Sequence, residues 1–271
     1  MVPVSWTIHR EVVLLLGWAR AILMQFAHPL VARGVADHSG FTREGFGRWR
    51  RLHRTLGAML TLTFGTEAEV AATIAHINGI HHRVRGRLAV PEGRFEPGHA
   101  YGANDPALLR WVHATCLDSF LLTYELFVAP LSMAQRDAYC AESAEVEVAM
   151  GMPAGYLPRS HDDLARYVAG MLQGDEIAVS DTARSLAREV IYPPLGRVAW
   201  PVTSLMRLTT IGLLPASLRE AYGFRWTPGR ERRLRRAAAT VRHLRPFVPS
   251  FAREWPIARR ATRRKAEIAV L

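Results

Sequence analysis

With 271 residues, 49% of them hydrophobic, the chain can build one sizeable core, and no Ser/Gly linker or low-complexity stretch divides it. Its two cysteines, Cys116 and Cys140, form neither a CxxC nor a CxxCH, which counts against a cysteine zinc site and covalent c-type haem and agrees with a reducing compartment. The net charge is +11, and 13 basic but only two acidic residues lie between Gly229 and Lys265; the rest, with 22 of each sign, is neutral, so the surplus sits in a C-terminal tail.

Helical signals recur along the chain and strand-type alternation is almost absent. Ser5 can cap a helix running to about Ala27, where His28-Pro29 breaks or kinks it. Its apolar run at residues 12–16 is short and flanked by Arg10, Glu11 and Arg20, so it does not read as a secretory signal, and a cytoplasmic location is expected. A short helix follows to Asp37 and ends at the His38-Ser39-Gly40 turn. A third is predicted over residues 43–64 and stops at Gly65. Thr66 and Glu69 form a capping box for a fourth, which runs to about Arg85 and ends at Gly86. Residues 90–103 carry several Gly and Pro and read as a loop with room for a short hairpin.

Asp105-Pro106 opens a long helix, with proline at its first position, that ends near Ala129-Pro130. Ser132 caps a helix to Gly151, Ser160 and Asp163 form a second capping box, and Ser180 starts a helix that stops before Pro193-Pro194. Residues 198–214 are apolar but broken by Pro201 and Arg207, a poor transmembrane span and a better buried or membrane-grazing helix. A short helix at residues 217–222 ends at Gly223, and Thr227-Pro228 opens the basic tail helix. The total is about ten helices, an all-α class, with residues 1–226 as the body of one domain and 227–271 as a basic tail packed on it or extending from it. Such a tail can meet anionic lipid or nucleic acid, or be a solvated face. Without aromatic interleaving or a reader motif, specific nucleic-acid binding is not expected, and peripheral membrane contact stays open.

Two apolar stripes each contain a histidine. Val70, Ile74, Ile77, His81 and Val84 follow helical spacing in the fourth helix; the neighbouring His82 points roughly 100° away. Leu109, His113, Cys116, Phe120, Tyr124 and Phe127 do the same in the long helix. A buried imidazole needs a partner, which can be a carbonyl, a carboxylate or a metal, and His113 can also orient another ligand. On the third helix, Arg51, Thr55, Ala58 and Leu62 share a face beside Arg54, so a guanidinium and a hydroxyl edge an apolar stripe; this suits either a ligand pocket or an ordinary amphipathic boundary. His28 and His38, near helix ends, can cap carbonyls or line a pocket. There is no GxGxxG, P-loop, HExxH or GxSxG, and no metal-ligand spacing names a metal.

An ordered set of short segments carries a resemblance. It includes Gly17-Trp18-Ala19-Arg20 through Gln25-Phe26-Ala27-His28-Pro29, Gly34-Val35-Ala36-Asp37-His38-Ser39, Arg51-Leu52-His53-Arg54-Thr55 and Phe64-Gly65-Thr66. It continues with His81-His82-Arg83-Val84-Arg85-Gly86, Tyr101-Gly102-Ala103-Asn104-Asp105-Pro106, Leu109 to Thr115, Pro130-Leu131-Ser132, Leu213-Leu214-Pro215 and Tyr222-Gly223. In this order, over about residues 10–226, the chain resembles the MpaB-like oxygenases, which include the latex-clearing rubber oxygenases. The resemblance implies a globin-like helical core holding non-covalent haem b, and O2-dependent cleavage of a C=C bond into two carbonyl fragments. The family's proximal haem histidine matches His81, and its distal Arg-x-x-Lys-Thr pattern falls on Arg51, Arg54 and Thr55, with arginine where the rubber enzymes have lysine. That replacement argues against a lysine-capped resting haem. His113, His28 and His38 are further candidates for the cofactor pocket, and Asp37 is a weak candidate for a catalytic acid. A small terpenoid, lipid or natural-product substrate is expected rather than polymeric rubber. The competing readings are a non-enzymatic haem or lipid carrier and a module that binds membrane or nucleic acid through the tail.

Overall fold

The structure is a computed structural model that describes residues 2–38, 47–193 and 200–268; for residues 47–52 and Ile268 it describes the backbone alone. The first helix, α1 (Val4–His9), begins with the backbone N–H groups of Val4 and Ser5 donating to the Glu142 carboxylate at 2.9 and 2.7 Å. A helix start leaves such donors unpaired and carries positive charge, so a distant carboxylate replaces the expected serine cap, and Ser5 lies inside the helix. Nor does this helix run on to Ala27. Glu11 is extended, forms a backbone bridge with Glu254, and accepts a hydrogen bond from Arg245 Nε at 3.0 Å. Continuing the helix would gain roughly tenths of a kcal/mol per residue. Unpairing a buried carboxylate costs far more, so the tertiary contact wins.

A 3-10 turn (Val12–Leu14) leads into α2 (Leu15–Phe26), and the chain then bends by 105° at Ala27-His28 into α3 (Pro29–His38). Proline cannot donate to a continuing ladder but starts a new helix well. Next come α4 (Gly47–Phe64) and α5 (Glu67–His81), a helical hairpin turning at Gly65-Thr66. The expected capping box is present: Thr66 Oγ1 accepts from Glu69 N at 3.3 Å, and Glu69 accepts from Thr66 N at 2.8 Å. The fourth predicted helix ends at His81 rather than near Arg85, because β1 (Arg85–Arg87) leaves to pair antiparallel with β2 (Ala100–Gly102). Gly86 faces Tyr101 in that ladder, and a Cβ there would run into the tyrosine hydroxyl.

Asp105 caps α6 (Pro106–Phe127) by accepting from Ala107 N at 2.8 Å, with Pro106 at its first position. This helix crosses α2 closely. Gly17 allows it, since a Cβ there would collide with the Thr123 hydroxyl and stand 3.0 Å from the Ser119 carbonyl. Buried Arg20 clamps the crossing, with Asp118 Oδ2 at 2.7 Å, Ser119 Oγ at 2.7 Å and the Leu213 carbonyl at 2.6 Å. Ser132 and Gln135 box the start of α7 (Met133–Ser143), which ends before the expected Gly151 in a 3-10 turn. Ser160 caps α8 (His161–Gln173) through Asp163 N, and Ser180 caps α9 (Asp181–Ile191) through Ala183 N. Then follow α10 (Trp200–Leu213) and α11 (Ala216–Ala221).

The tail forms α12 (Pro228–Leu244), α13 (Ser250–Arg253) and α14 (Pro256–Ile268). Its few apolar residues tie it down. Leu234 and Ala238 pack on Phe127 of α6, and Ala258 and Ala261 on Leu60 and Phe64 of α4. The fourteen α-helices among the described residues exceed the ten or so predicted because the first helix and the tail are each divided. Among the described residues, no single helix is long and apolar enough to cross a membrane.

Candidate functional site

The apolar residues of α5, in the α4–α5 hairpin, are only partly covered. A helix that is apolar on most sides is normally buried. In α5 only Ile74 is buried, while Val70, Ile77, Ile80 and His81 of the same helix are half-covered. Added Cβ atoms on Gly57 of α4 and Gly79 of α5 would meet nothing within 4 Å. The register of the hairpin is marked by Arg54, whose guanidinium lies 3.4 Å from His76 Nε2. Arg51 sits one turn beyond Arg54, and His81 just over one turn beyond His76, so both stand at the open end of the hairpin. Arg54 and Thr55 are exposed; the Arg51 side chain lies outside the described residues.

His81 is the last residue of α5. Its Nδ1 is buried without a hydrogen-bond partner. Burial, and then the neighbouring His82, hold its pKa below the ordinary histidine value. The ring is therefore neutral at pH 7, the form that ligates metal. His82 faces outward as its spacing predicts, with its Nδ1 2.9 Å from Asn104 Nδ2.

A polar cluster adjoins this end of α5. Val84 donates its N–H to the His81 carbonyl at 3.0 Å, and Gly34 of α3 faces both Val84 and the Tyr101 ring. The Tyr101 hydroxyl donates to Asp37 Oδ2 at 2.5 Å and lies 3.4 Å from His38 Nε2, while Arg33 Nε donates to Asp37 at 2.8 Å. The bond from Arg33, reinforced by that from Tyr101, lowers the Asp37 pKa. Asp37 is thus a carboxylate at neutral pH and accepts hydrogen bonds, which suits positioning better than proton donation. Burial first, then Asp37, pushes the Tyr101 phenol up to about 12. Tyr101 had no assigned role from sequence. The one local signal was Gly86, whose missing side chain makes room for it.

The other two histidines lie in separate surroundings. His113 is on α6, where Leu109, Phe120, Tyr124 and Phe127 are buried as the stripe predicts. Its Nε2 is buried without a partner, and burial lowers its pKa to about 4. His113 in turn helps lower the pKa of His9, a residue the sequence did not single out, whose ring is fully satisfied: its Nδ1 is 2.7 Å from Thr63 Oγ1 and its Nε2 2.6 Å from Tyr139 Oη. Those partners stand on α4 and α7, too far along the chain for any local spacing to reveal. His28 stacks on Phe95 at 5.6 Å between ring centroids, has Glu176 at 3.9 Å, and leaves its Nδ1 buried and unpartnered. The structure therefore places Arg51, Arg54, Thr55 and His81 on one hairpin, and Asp37 and His38 at the end of α5. It keeps His28 and His113 in separate surroundings.

Two clefts, of about 290 and 270 Å³, lie elsewhere, and no candidate residue lines either. Among the described residues, no three His, Cys, Asp or Glu side chains converge as a metal site. A haem iron asks for less, one or two axial side chains, and a neutral imidazole at the rim of an apolar, approachable helix face meets that requirement. In comparison with protein families, the model described as ER-bound oxygenase mpaB/B′/rubber oxygenase, catalytic domain, matches residues 6–243. No curated protein and no solved structure matches the chain.

Proposed function

The chain belongs to the ER-bound oxygenase mpaB/B′/rubber oxygenase catalytic-domain family, and we propose that it is a haem b-dependent oxygenase acting with O2 on a small apolar substrate. The substrate class is a terpenoid, lipid or natural-product intermediate, and the reaction is oxidative cleavage of a C=C bond. Such a cleavage is balanced without an added reductant, because each oxygen atom of O2 ends in one of the two carbonyl products.

The observation that carries this reading is His81, a neutral imidazole with a buried, unpartnered nitrogen, at the open end of an apolar hairpin. Haem, when bound, supplies the O2 chemistry that amino-acid side chains lack. His81 would hold the haem iron through a ring nitrogen, and its lowered pKa favours the neutral form that such ligation needs. Thr55 and Arg51, on the facing helix, would supply hydrogen-bond donors for developing negative charge, where preorganised donors have their largest effect. Arg54 holds α4 and α5 in register through His76. The half-covered side chains Val70, Ile77 and Ile80 give an apolar substrate a surface that excludes water. Asp37 and Tyr101 fix the turn that follows His81.

The test is an absorption spectrum of the protein expressed with haem precursor. A Soret band that shifts on reduction and on CO binding is expected, and its loss in a folded His81→Ala variant assigns the ligand. Full haem retention in that variant overturns the His81 assignment. A colourless protein that also refuses added haem overturns the cofactor. O2 uptake with candidate lipids then separates an oxygenase from a carrier.

A further inference from the structure

The tail carries a feature that the proposed oxygenase chemistry does not use. Between α12 and α13 the chain runs Leu244-Arg245-Pro246-Phe247-Val248-Pro249-Ser250-Phe251. Leu244, Phe247, Val248 and Phe251 are 52, 77, 37 and 67% exposed, four large apolar side chains within eight residues. Scattered exposed apolar residues need no explanation, but a clustered aromatic tip on an otherwise charged element does. The surrounding charge has one sign. From Arg232 to Arg253 there are seven arginines and no acidic residue. The carboxylates nearest the tip, Glu11 and Glu254, are buried and paired with Arg245 and Arg10, so they do not offset that field. Arg232, Arg233, Arg236 and Arg242 are exposed on α12, whose buried side is held by Leu234 and Ala238.

We infer that the α12–α13 tip is a docking surface for an anionic lipid bilayer, with Phe247 and Phe251 entering the interface and the arginines of α12 engaging lipid phosphates. Two observations favour a bilayer over a protein partner. Phe247 and Phe251, the two most exposed of the four, project as a tip and do not line the neighbouring cleft, which suits a soft interface. The whole charge surplus of the chain lies in this tail, so an anionic surface orients the molecule tip-first before contact. Prolines 246 and 249 restrict the backbone of the tip, which lowers the entropy lost when it inserts. The cleft of about 290 Å³ behind the tip, walled by Val12, Val241, Leu244 and Val248, is apolar and open beside it, and gives an acyl chain a place to lie.

The test is co-sedimentation of the full chain with vesicles of phosphatidylcholine, with and without phosphatidylglycerol. Binding is expected only when phosphatidylglycerol is present, and it weakens with added salt. Phe247→Ser/Phe251→Ser should lower the partition coefficient about tenfold with an unchanged melting temperature, since both residues are exposed. Arg232→Ser/Arg233→Ser/Arg236→Ser should lower it about a hundredfold while leaving the tip intact. Equal binding to neutral vesicles, equal binding by the phenylalanine variant, or no vesicle binding overturns the inference. So does concentration-dependent self-association in sedimentation velocity that disappears in the phenylalanine variant without vesicle binding; that result would make the tip a contact between copies.

Discussion

Tyr101 and Asp37, 64 residues apart, share a 2.5 Å hydrogen bond beside a glycine that leaves no room for a side chain. The bond joins β2 to the end of α3, next to the residues that follow His81. Tyr101→Phe removes one donor from a carboxylate that keeps Arg33. The expected loss is about 1 kcal/mol, below the range usual for hydrogen bonds to charged groups because Asp37 is solvated. The Asp37 pKa should rise toward its ordinary value. Urea denaturation at pH 7 and an NMR titration of the Asp37 carboxyl check both. Gly86→Ala should cost about 1–3 kcal/mol by displacing the same ring. The double variant should cost less than the sum, because both changes break one contact; strict additivity would disprove the link.

Gly17 and Thr123 set the closest approach of α2 to α6. Gly17→Ala places a methyl group against the Thr123 hydroxyl and the Ser119 carbonyl. The helix gains slightly in propensity, but the crossing must open. A net destabilisation of about 1–3 kcal/mol is expected from overpacking. Thr123→Ala in the same chain should recover part of it, while the Ser119 carbonyl keeps recovery incomplete. A thermal melt in which Gly17→Ala equals or exceeds the wild type would show that the crossing is loose.

Three buried histidines make stability depend on pH. Burial lowers His9, His28 and His113 to about 4 from the ordinary 6.5. The unfolded chain takes up these protons near 6.5, whereas the folded protein resists them down to about 4. Their contribution to stability is therefore complete above pH 6.5, falls as the pH drops through the interval to about 4, and levels off below it. For the well-buried His9 and His28 the loss amounts to about 3 kcal/mol each at most. Denaturation midpoints measured between pH 7 and 5, above the range where carboxylates titrate, should fall with pH. His28→Gln should flatten the slope. A midpoint constant across that range would show that these rings are not held neutral.

The helices were legible from the sequence because capping and periodicity are local. Thr66 with Glu69, Asp105 with Pro106, Ser132 with Gln135 and Ser180 each satisfy donors within three residues, so the physics that starts the helix lies in adjacent letters. The stripe containing His81 predicts a buried ring, whereas only Ile74 of that stripe is buried and His81 is half-covered; the ordered motifs pointed to the family that the family comparison shows. What the sequence could not decide were the features made by distant partners. Glu11 breaks the first helix because Arg245 and Glu254 reach it from the tail. Glu142 caps α1 in place of Ser5, and β2 shortens α5. His113 shares the helical stripe character of His81 and His28 sits at a helix end, yet packing sends them to separate surroundings, while Tyr101 is brought to Asp37 and His9 to Tyr139. Local hydrogen-bond needs are written in neighbouring residues. The pairing of buried charges and rings depends on which surfaces meet, and only the folded chain brings those surfaces together.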